Sequence, residues 1–327
     1  MYNYKRKFCI APMMGYTTPH ARKLYRILSK NAFLFTEMVP CKELIFSKNK
    51  NLKIENDNSN PIALQVGGID FNDLAESAQI AKNYNYDEIN LNVGCPSKAV
   101  QKGKFGACLM NNKILVRNCL EVMKESSDID VSVKCRIGLG KEFNYDFFYD
   151  FIDEIIKSGI NIIYVHARNA ILNGFSPKNN RNIPPLNYEF VKKIKNEFPN
   201  INFILNGGIN NLEEAYNLLK FHDGVMLGRL IQNNPFCLLE VDKIFFNSVE
   251  KKISHTEIIS EYFEYVKNNL EKDSIFRLLS PLLSIFFGLP NSKSFKTKIN
   301  YTMKNSEIDK LESTMLEFVN GQKIFAS

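Results

Sequence analysis

The side chains able to do chemistry in this 327-residue chain fall in eight clusters: Pro12-Met13, Glu37, Gln65-Val-Gly-Gly68, Asn90-Leu-Asn92-Val-Gly-Cys95-Pro96, Lys134-Cys-Arg136, His166-Ala-Arg168, Asn206-Gly-Gly208 and Gly228-Arg229. Cys95 is followed closely by Lys98, and a thiol near cations can act as a general acid or a nucleophile. Lys134 ends an apolar run, where an ammonium group needs an anionic partner or a depressed pKa. Two roles fit it: a Schiff-base lysine of an aldolase, or a cation beside a cofactor that becomes negative on reduction. Asn206-Gly-Gly-Ile209 ahead of a helix, with Gly228-Arg229, reads as a phosphate cradle, because glycine admits close backbone approach and Arg229 adds a charged fork. Gln65 offers an amide to a ring edge, His166 a further donor, and Pro12-Met13 backbone groups and a thioether to a flat ring. Together these residues outline a flavin mononucleotide pocket.

What must position them is a set of strands. Each cluster ends one of eight short apolar, β-rich runs: Phe8–Met13, Phe33–Met38, Ile62–Val66, Glu88–Val93, Val131–Cys135, Ile162–Val165, Phe203–Leu205 and Gly224–Leu227. Between them lie segments with apolar residues at helical spacing, among them Leu74–Tyr84, Ile114–Met123, Phe147–Ile156 and Leu212–Leu219. Alternating strands and amphipathic helices predict a parallel sheet, and eight repeats predict an α/β fold of the (β/α)8 TIM barrel type, whose active site lies at the C-terminal strand ends. An open doubly wound sheet is disfavoured because Ala11-Pro-Met-Met-Gly15 is not a dinucleotide-binding glycine turn. Beyond about Phe245 the pattern becomes helical throughout (Thr256–Leu270, Ile275–Phe287, Ser292–Met303, Glu307–Val319). The expected division is a barrel over residues 1–240 and a helical domain over 241–327.

With 45% hydrophobic and 24% charged residues, disorder and a small disulfide scaffold are excluded. Seven cysteines with no C-x-x-C pair point to a reducing compartment; Cys9, Cys108, Cys119, Cys135 and Cys237 read as small buried hydrophobes. No apolar run resembles a secretion signal or a membrane span, so a cytoplasmic, non-membrane protein is expected. The net charge of +7 is unevenly spread: Ile89–Leu120, Ile155–Tyr188 and Ser274–Ser306 contain no Asp or Glu, yet hold fourteen Lys and Arg. Brought together in space, they would suit a polyanion such as nucleic acid.

The assembled motifs resemble the tRNA-dihydrouridine synthase family, and within it the DusA-like class. The likeness rests on Ala11-Pro-Met13, Phe35-Thr-Glu-Met38, Leu64-Gln-Val-Gly-Gly68, the segment Asp87–Ser97 containing Asn-Val-Gly-Cys-Pro, Gln101–Met110, Val133–Gly138, His166-Ala-Arg168, Ser176–Leu186, Asn206-Gly-Gly-Ile209 and Gly224–Arg229. The tail matches mainly around Phe287-Gly-Leu-Pro290 and carries Ser280-Pro281 where the family often has Arg-His. The resemblance implies reduction of the carbon 5–carbon 6 double bond of a D-loop uridine of tRNA, at position 20 with 20a, by a monomer. FMN would be the carrier and NADPH the reductant. It implies that Pro12, Met13, Met14, Gln65, Lys134, His166, Asn206, Gly207, Gly208, Gly228 and Arg229 hold FMN, that Asn92 holds the uracil, and that Cys95 donates a proton to carbon 5. Arg168, Lys178, Arg181, Lys293, Lys296 and Lys298 are the expected tRNA contacts. Three alternatives stand beside this one: an FMN barrel acting on a free pyrimidine, as dihydroorotate dehydrogenases do; a catalytically silent tRNA-binding protein; and an aldolase using Lys134.

Overall fold

A computed structural model describes residues 4–46, 59–248, 253–286, 292–304 and 308–321. Its strands are β1 (Phe8–Ile10), β2 (Leu34–Phe35), β3 (Val39–Pro40), β4 (Ile62–Gly67), β5 (Glu88–Val93), β6 (Asp130–Arg136), β7 (Ile162–His166), β8 (Asn202–Asn206) and β9 (Gly224–Leu227). All pair in parallel in the order β1-β9-β8-β7-β6-β5-β4-β2, with β3 also on β4. The ring closes between β1 and the start of β2, where Ile10 N donates to Phe33 O and Phe33 N to Phe8 O, both at 2.9 Å. The fold is therefore the expected (β/α)8 barrel, with β2 and β3 sharing one staves' position. The second run breaks because the Thr36 hydroxyl takes the Gln65 N–H at 3.0 Å, a place that a backbone carbonyl fills in an unbroken ladder.

Strand alternation sets what faces inward. On β5, Ile89, Leu91 and Val93 point to the helical shell, while Glu88, Asn90 and Asn92 point to the axis, all buried. Cys9, Ala11, Phe33, Phe35, Ala63, Ile162, Tyr164, Ile204 and Met226 form one buried, largely apolar cluster, with Phe35 edge-on to Tyr164 at 5.0 Å. The outer helices Phe71–Asn83, Lys113–Glu125, Tyr145–Ile156, Tyr188–Glu197 and Leu212–Leu218 start on side-chain caps from Asp70, Asn112, Asn144, Asn187 and Asn211. Faces such as Phe148, Phe151, Ile152 and Ile155 are fully buried, at roughly 1.5–3 kcal/mol per large apolar side chain.

The chain forms two compact units: residues 1–19 with 31–228, and residues 20–30 with 229–327. The break after Gly228 precedes the division expected at 240. The helix Pro19–Leu28 goes largely with the second unit because His20 bonds Tyr265 (2.8 Å) and Asp273 (3.1 Å), and Ser29 bonds Asp242 (2.5 Å). That unit is helical: His255–Lys267 behind a Ser254/Glu257 capping box, Ile275–Leu283, Ser292–Lys304 and Ile308–Asn320. Phe295 stacks on Phe318 at 4.0 Å, and Phe286 packs edge-on to both. Among the described residues no helix is long and apolar enough to cross a membrane.

Candidate active site

Cys95 lies just past β5, half-buried, on a loop whose backbone is tied down on every side. Asn92 Oδ1 accepts the N–H groups of Gly94 (3.2 Å) and Cys95 (3.0 Å). Arg136 Nε donates to Gly94 O (3.0 Å), Ala107 N to Cys95 O (2.9 Å), and Gln101 Nε2 to Pro96 O (2.9 Å). The thiol is thus carried on a pre-set loop, as a proton donor needs. Asn92 itself is buried, and its Nδ2 donates to Gln65 Oε1 at 2.8 Å while Gln65 Nε2 donates to Asn90 Oδ1 at 2.8 Å. Both amides are engaged with each other and with the cysteine loop, so Gln65 sits below the mouth at 1% exposure, and Asn92 has one amide hydrogen beyond its bond to Gln65.

Across the register from Asn92 on β6 stands Lys134, whose Nζ donates to Asn206 Oδ1 at 3.0 Å. Burial, then repulsion from Arg136, brings its ammonium down to about 8; the nearby Cys135 and Cys95 thiols oppose this. No carboxylate pairs with Lys134 or Arg136 among the described residues: Arg136 is buried and donates only to the carbonyls of Gly94, Asn169 and Asn180. Arg136 is also depressed, to about 10, by burial and by repulsion from Arg181 and Arg168. A buried and a half-buried cation without counter-charge define a place for an anion.

Asn206 continues the mouth by donating to Met226 O (2.7 Å), and Gly207 and Gly208 follow at φ +117° and +73°. A Cβ on Gly207 would stand 2.6 Å from the His166 ring, and one on Gly208 would strike Leu186, so the turn requires glycine on both counts. A Cβ on Gly228 would stand 3.2 Å from Met13 Sδ, which places Met13 beside that turn. Pro12 is half-buried, Met14 is 65% exposed, and the Met13–Thr17 turn is held by Gly15 N donating to Glu37 Oε1 at 2.5 Å. The helix that follows Asn206-Gly-Gly-Ile209 does not begin at the glycines. The helix starts at Leu212 with Glu213 and Glu214 in its first turn, so its own carboxylates already meet that N-terminus. Arg229 is exposed and opens the helix Arg229–Asn233 of the second unit.

The loop between β7 and the helix Tyr188–Glu197 carries the next cations. Arg168, expected to meet nucleic acid, is 8% exposed and donates to Pro184 O, closing the loop base instead. Lys178 and Arg181 are exposed on the same loop, as are Lys293 and Lys298 on the helix Ser292–Lys304; the side chain of Lys296 lies outside the described residues, as does Phe287–Pro290. The acid-free stretches are less bare in space than in sequence. Lys113 pairs with Asp150 (3.5 Å), Arg117 with Glu154 (2.6 Å), Lys157 with Glu154 (3.0 Å) and Arg277 with Asp273 (3.2 Å). Of the cysteines expected inside, Cys9, Cys119 and Cys135 are buried, whereas Cys108 and Cys237 are half-buried.

Residues 9–320 match the family model described as dihydrouridine synthase (Dus). The chain belongs to the dihydrouridine synthase family. It is 40% identical over 295 residues to the tRNA-dihydrouridine(20/20a) synthase of Shewanella oneidensis, covering 90% of this chain and 88% of that one. It is 38% identical over 317 residues to the protein of the same name from Escherichia coli K12, covering 96% and 92%. In fold it is similar to an old yellow enzyme homologue from Zymomonas mobilis, with a TM-score of 0.51 at 11% identity over 77% of this chain and 92% of that one.

Seen in a dihydrouridine synthase family member, the half of the site that sequence reasoning missed is its support. Arg136, Gln101, Asn90, Ser132 and Glu88 touch the mouth or its props; all but Ser132 lie in segments that carry the family resemblance, yet none was given a role in the site. One signal was present: Glu88-Ile-Asn-Leu-Asn-Val93 puts polar residues at every second position of a strand, which in a barrel faces them inward.

Proposed function

We propose that the protein reduces the carbon 5–carbon 6 double bond of a D-loop uridine of tRNA to dihydrouridine, with FMN as bound carrier and NADPH as electron source. The observation that carries this reading is the Cys95 thiol on its tethered loop, with buried Arg136 bonded to the adjoining Gly94 carbonyl and no carboxylate paired with it or with half-buried Lys134 among the described residues. The family, and relatives named for positions 20 and 20a, support tRNA as the substrate and those positions as the target.

The residues fit FMN. Lys134 offers an uncompensated ammonium at the mouth, and Gly207, Gly208 and Gly228 form a turn region that tolerates no side chain and would receive the phosphate, with Arg229 next in the chain. Pro12 to Met14, His166 and Asn206 complete the rim. When bound and reduced by NADPH, the flavin would supply hydride for carbon 6. Cys95 gives its proton to carbon 5, and Lys134 and Arg136 stabilise the thiolate left behind. Asn92 directs its remaining amide hydrogen to a uracil carbonyl. The base reaches the thiol only after leaving its stack, which calls for grip on the surrounding backbone by exposed cations such as Lys178, Arg181, Lys293 and Lys298.

Replacing Cys95 by Ala tests the assignment. The variant keeps its flavin absorbance and its oxidation of NADPH, but forms dihydrouridine about 100-fold more slowly, read by mass spectrometry of tRNA. Undiminished product removes Cys95 as the acid, and purified wild-type protein without flavin absorbance removes the whole reading.

A further inference from the structure

Below the mouth, a single file of hydrogen bonds runs from the barrel floor to the loop of Cys95. Glu88 is fully buried, and Arg6 Nε (2.6 Å), the Tyr164 hydroxyl (3.1 Å) and the Ser132 hydroxyl all converge on its carboxylate. With Ser132 donating there, its oxygen accepts from Asn90 Nδ2 (2.6 Å). The far end of the Asn90 amide is then an oxygen, which takes Gln65 Nε2; the far end of Gln65 is an oxygen, which takes Asn92 Nδ2; and Asn92 Oδ1 is left facing the Gly94 and Cys95 N–H groups. Each amide has a donor end and an acceptor end, so one choice at the floor fixes the sense of every link above it.

We infer that Glu88, Ser132 and Asn90 are positioning residues for Cys95: a carboxylate that only accepts hydrogen bonds imposes, through three amides, the one orientation of Asn92 that can hold the cysteine loop. Reversing the file would present Asn92 Nδ2 to the Cys95 N–H, donor against donor, and release the loop. The arrangement also accounts for Asn90 and Ser132, which are fully buried polar side chains bonded to each other.

The inference rests on the proposed role of Cys95, and its test separates the two. Ser132→Ala deletes one oxygen from the file without adding bulk, and Ser132→Thr restores the hydroxyl. In the holoprotein, iodoacetamide alkylation of Cys95 is followed by mass spectrometry with half-buried Cys108 as internal reference. The Cys95-to-Cys108 rate ratio changes by about threefold or more in Ser132→Ala and returns near the wild-type ratio in Ser132→Thr. For tRNA, Ser132→Ala lowers kcat by about tenfold with KM unaltered, since the thiol and not the tRNA grip is displaced. An unchanged ratio, or equal change at Cys95 and Cys108, overturns the inference. A changed ratio with undiminished dihydrouridine formation supports the positioning and instead overturns Cys95 as the proton donor.

Discussion

Burial, with repulsion from Arg136, holds the Lys134 ammonium at about 8 against an ordinary 10.5, and without a carboxylate partner the Cys135 and Cys95 thiols offset this only in part. The sign of the consequence follows from proton counting. Between pH 8 and 10.5 the unfolded chain keeps the proton that the folded chain has released, so the stability of the flavin-free protein rises with pH across that window. Below pH 8 both states carry the charge and the full cost of burying it is present. Lys134→Met removes the titration, so the stability of wild type relative to the variant rises by about 2 kcal/mol between pH 7.5 and 10 in urea denaturation. The slope is the readout, because the variant also leaves Asn206 Oδ1 without its donor and so shifts the offset. A parallel pair of curves would mean that Lys134 is neutralised by something other than burial. The same uncompensated ammonium is what an anionic cofactor finds on arrival, so stability given up at this residue is recovered on binding.

Among the elements, the loop after β5 and the loop after β7 are joined by single side chains. Gln101, on the short helix Lys98–Lys102, donates through Nε2 to both Pro96 O (2.9 Å) and Leu172 O (3.0 Å), while Arg136 joins Gly94 O to the carbonyls of Asn169 and Asn180. Gln101→Glu keeps the shape but turns the donor into an acceptor facing two carbonyls. We expect amide hydrogen exchange to quicken over Leu172–Ile183 and in the Cys95 loop, with β6 unchanged and stability reduced by about 1–2 kcal/mol. Exchange confined to wild-type rates would show that the strap carries no load. Links of this kind explain what sequence could and could not disclose. Eight strands were legible because each is an apolar run followed by a polar or glycine cluster, and the helices because Leu74, Ala78 and Ala81, or Phe148, Ile152 and Ile155, recur at helical spacing. Cys95, Lys134 and the Gly207-Gly208 turn were legible because they sit at strand ends. The splitting of the second strand at Thr36, the inward turn of Arg168 and the file from Glu88 to Asn92 were not, since each depends on a partner at least 15 residues away in the chain.

For the whole molecule, the question is which cations grip the substrate. A formal charge of +7 overstates the free positive surface where Lys113, Arg117, Lys157 and Arg277 are matched by carboxylates, and Lys134 and Arg136 are spent inside the mouth. Exposed cations remain in both compact units: Lys178 and Arg181, besides Lys98, Lys102 and Lys104, in the barrel, and Lys293 and Lys298 in the helical unit. If both units hold one tRNA, each pair releases its own counterions. Lys178→Ala with Arg181→Ala, and separately Lys293→Ala with Lys298→Ala, should then each flatten the slope of log affinity against log salt by about 1.5, and the four together by about 3. Flavin content stays at the wild-type level in all of them, because none of the four lies among the residues assigned to the cofactor. A double variant whose slope matches wild type takes its unit out of the footprint. If the helical pair is the one that drops out, the barrel loop alone presents the uridine to Cys95, and position 20 is chosen by the reach of that loop.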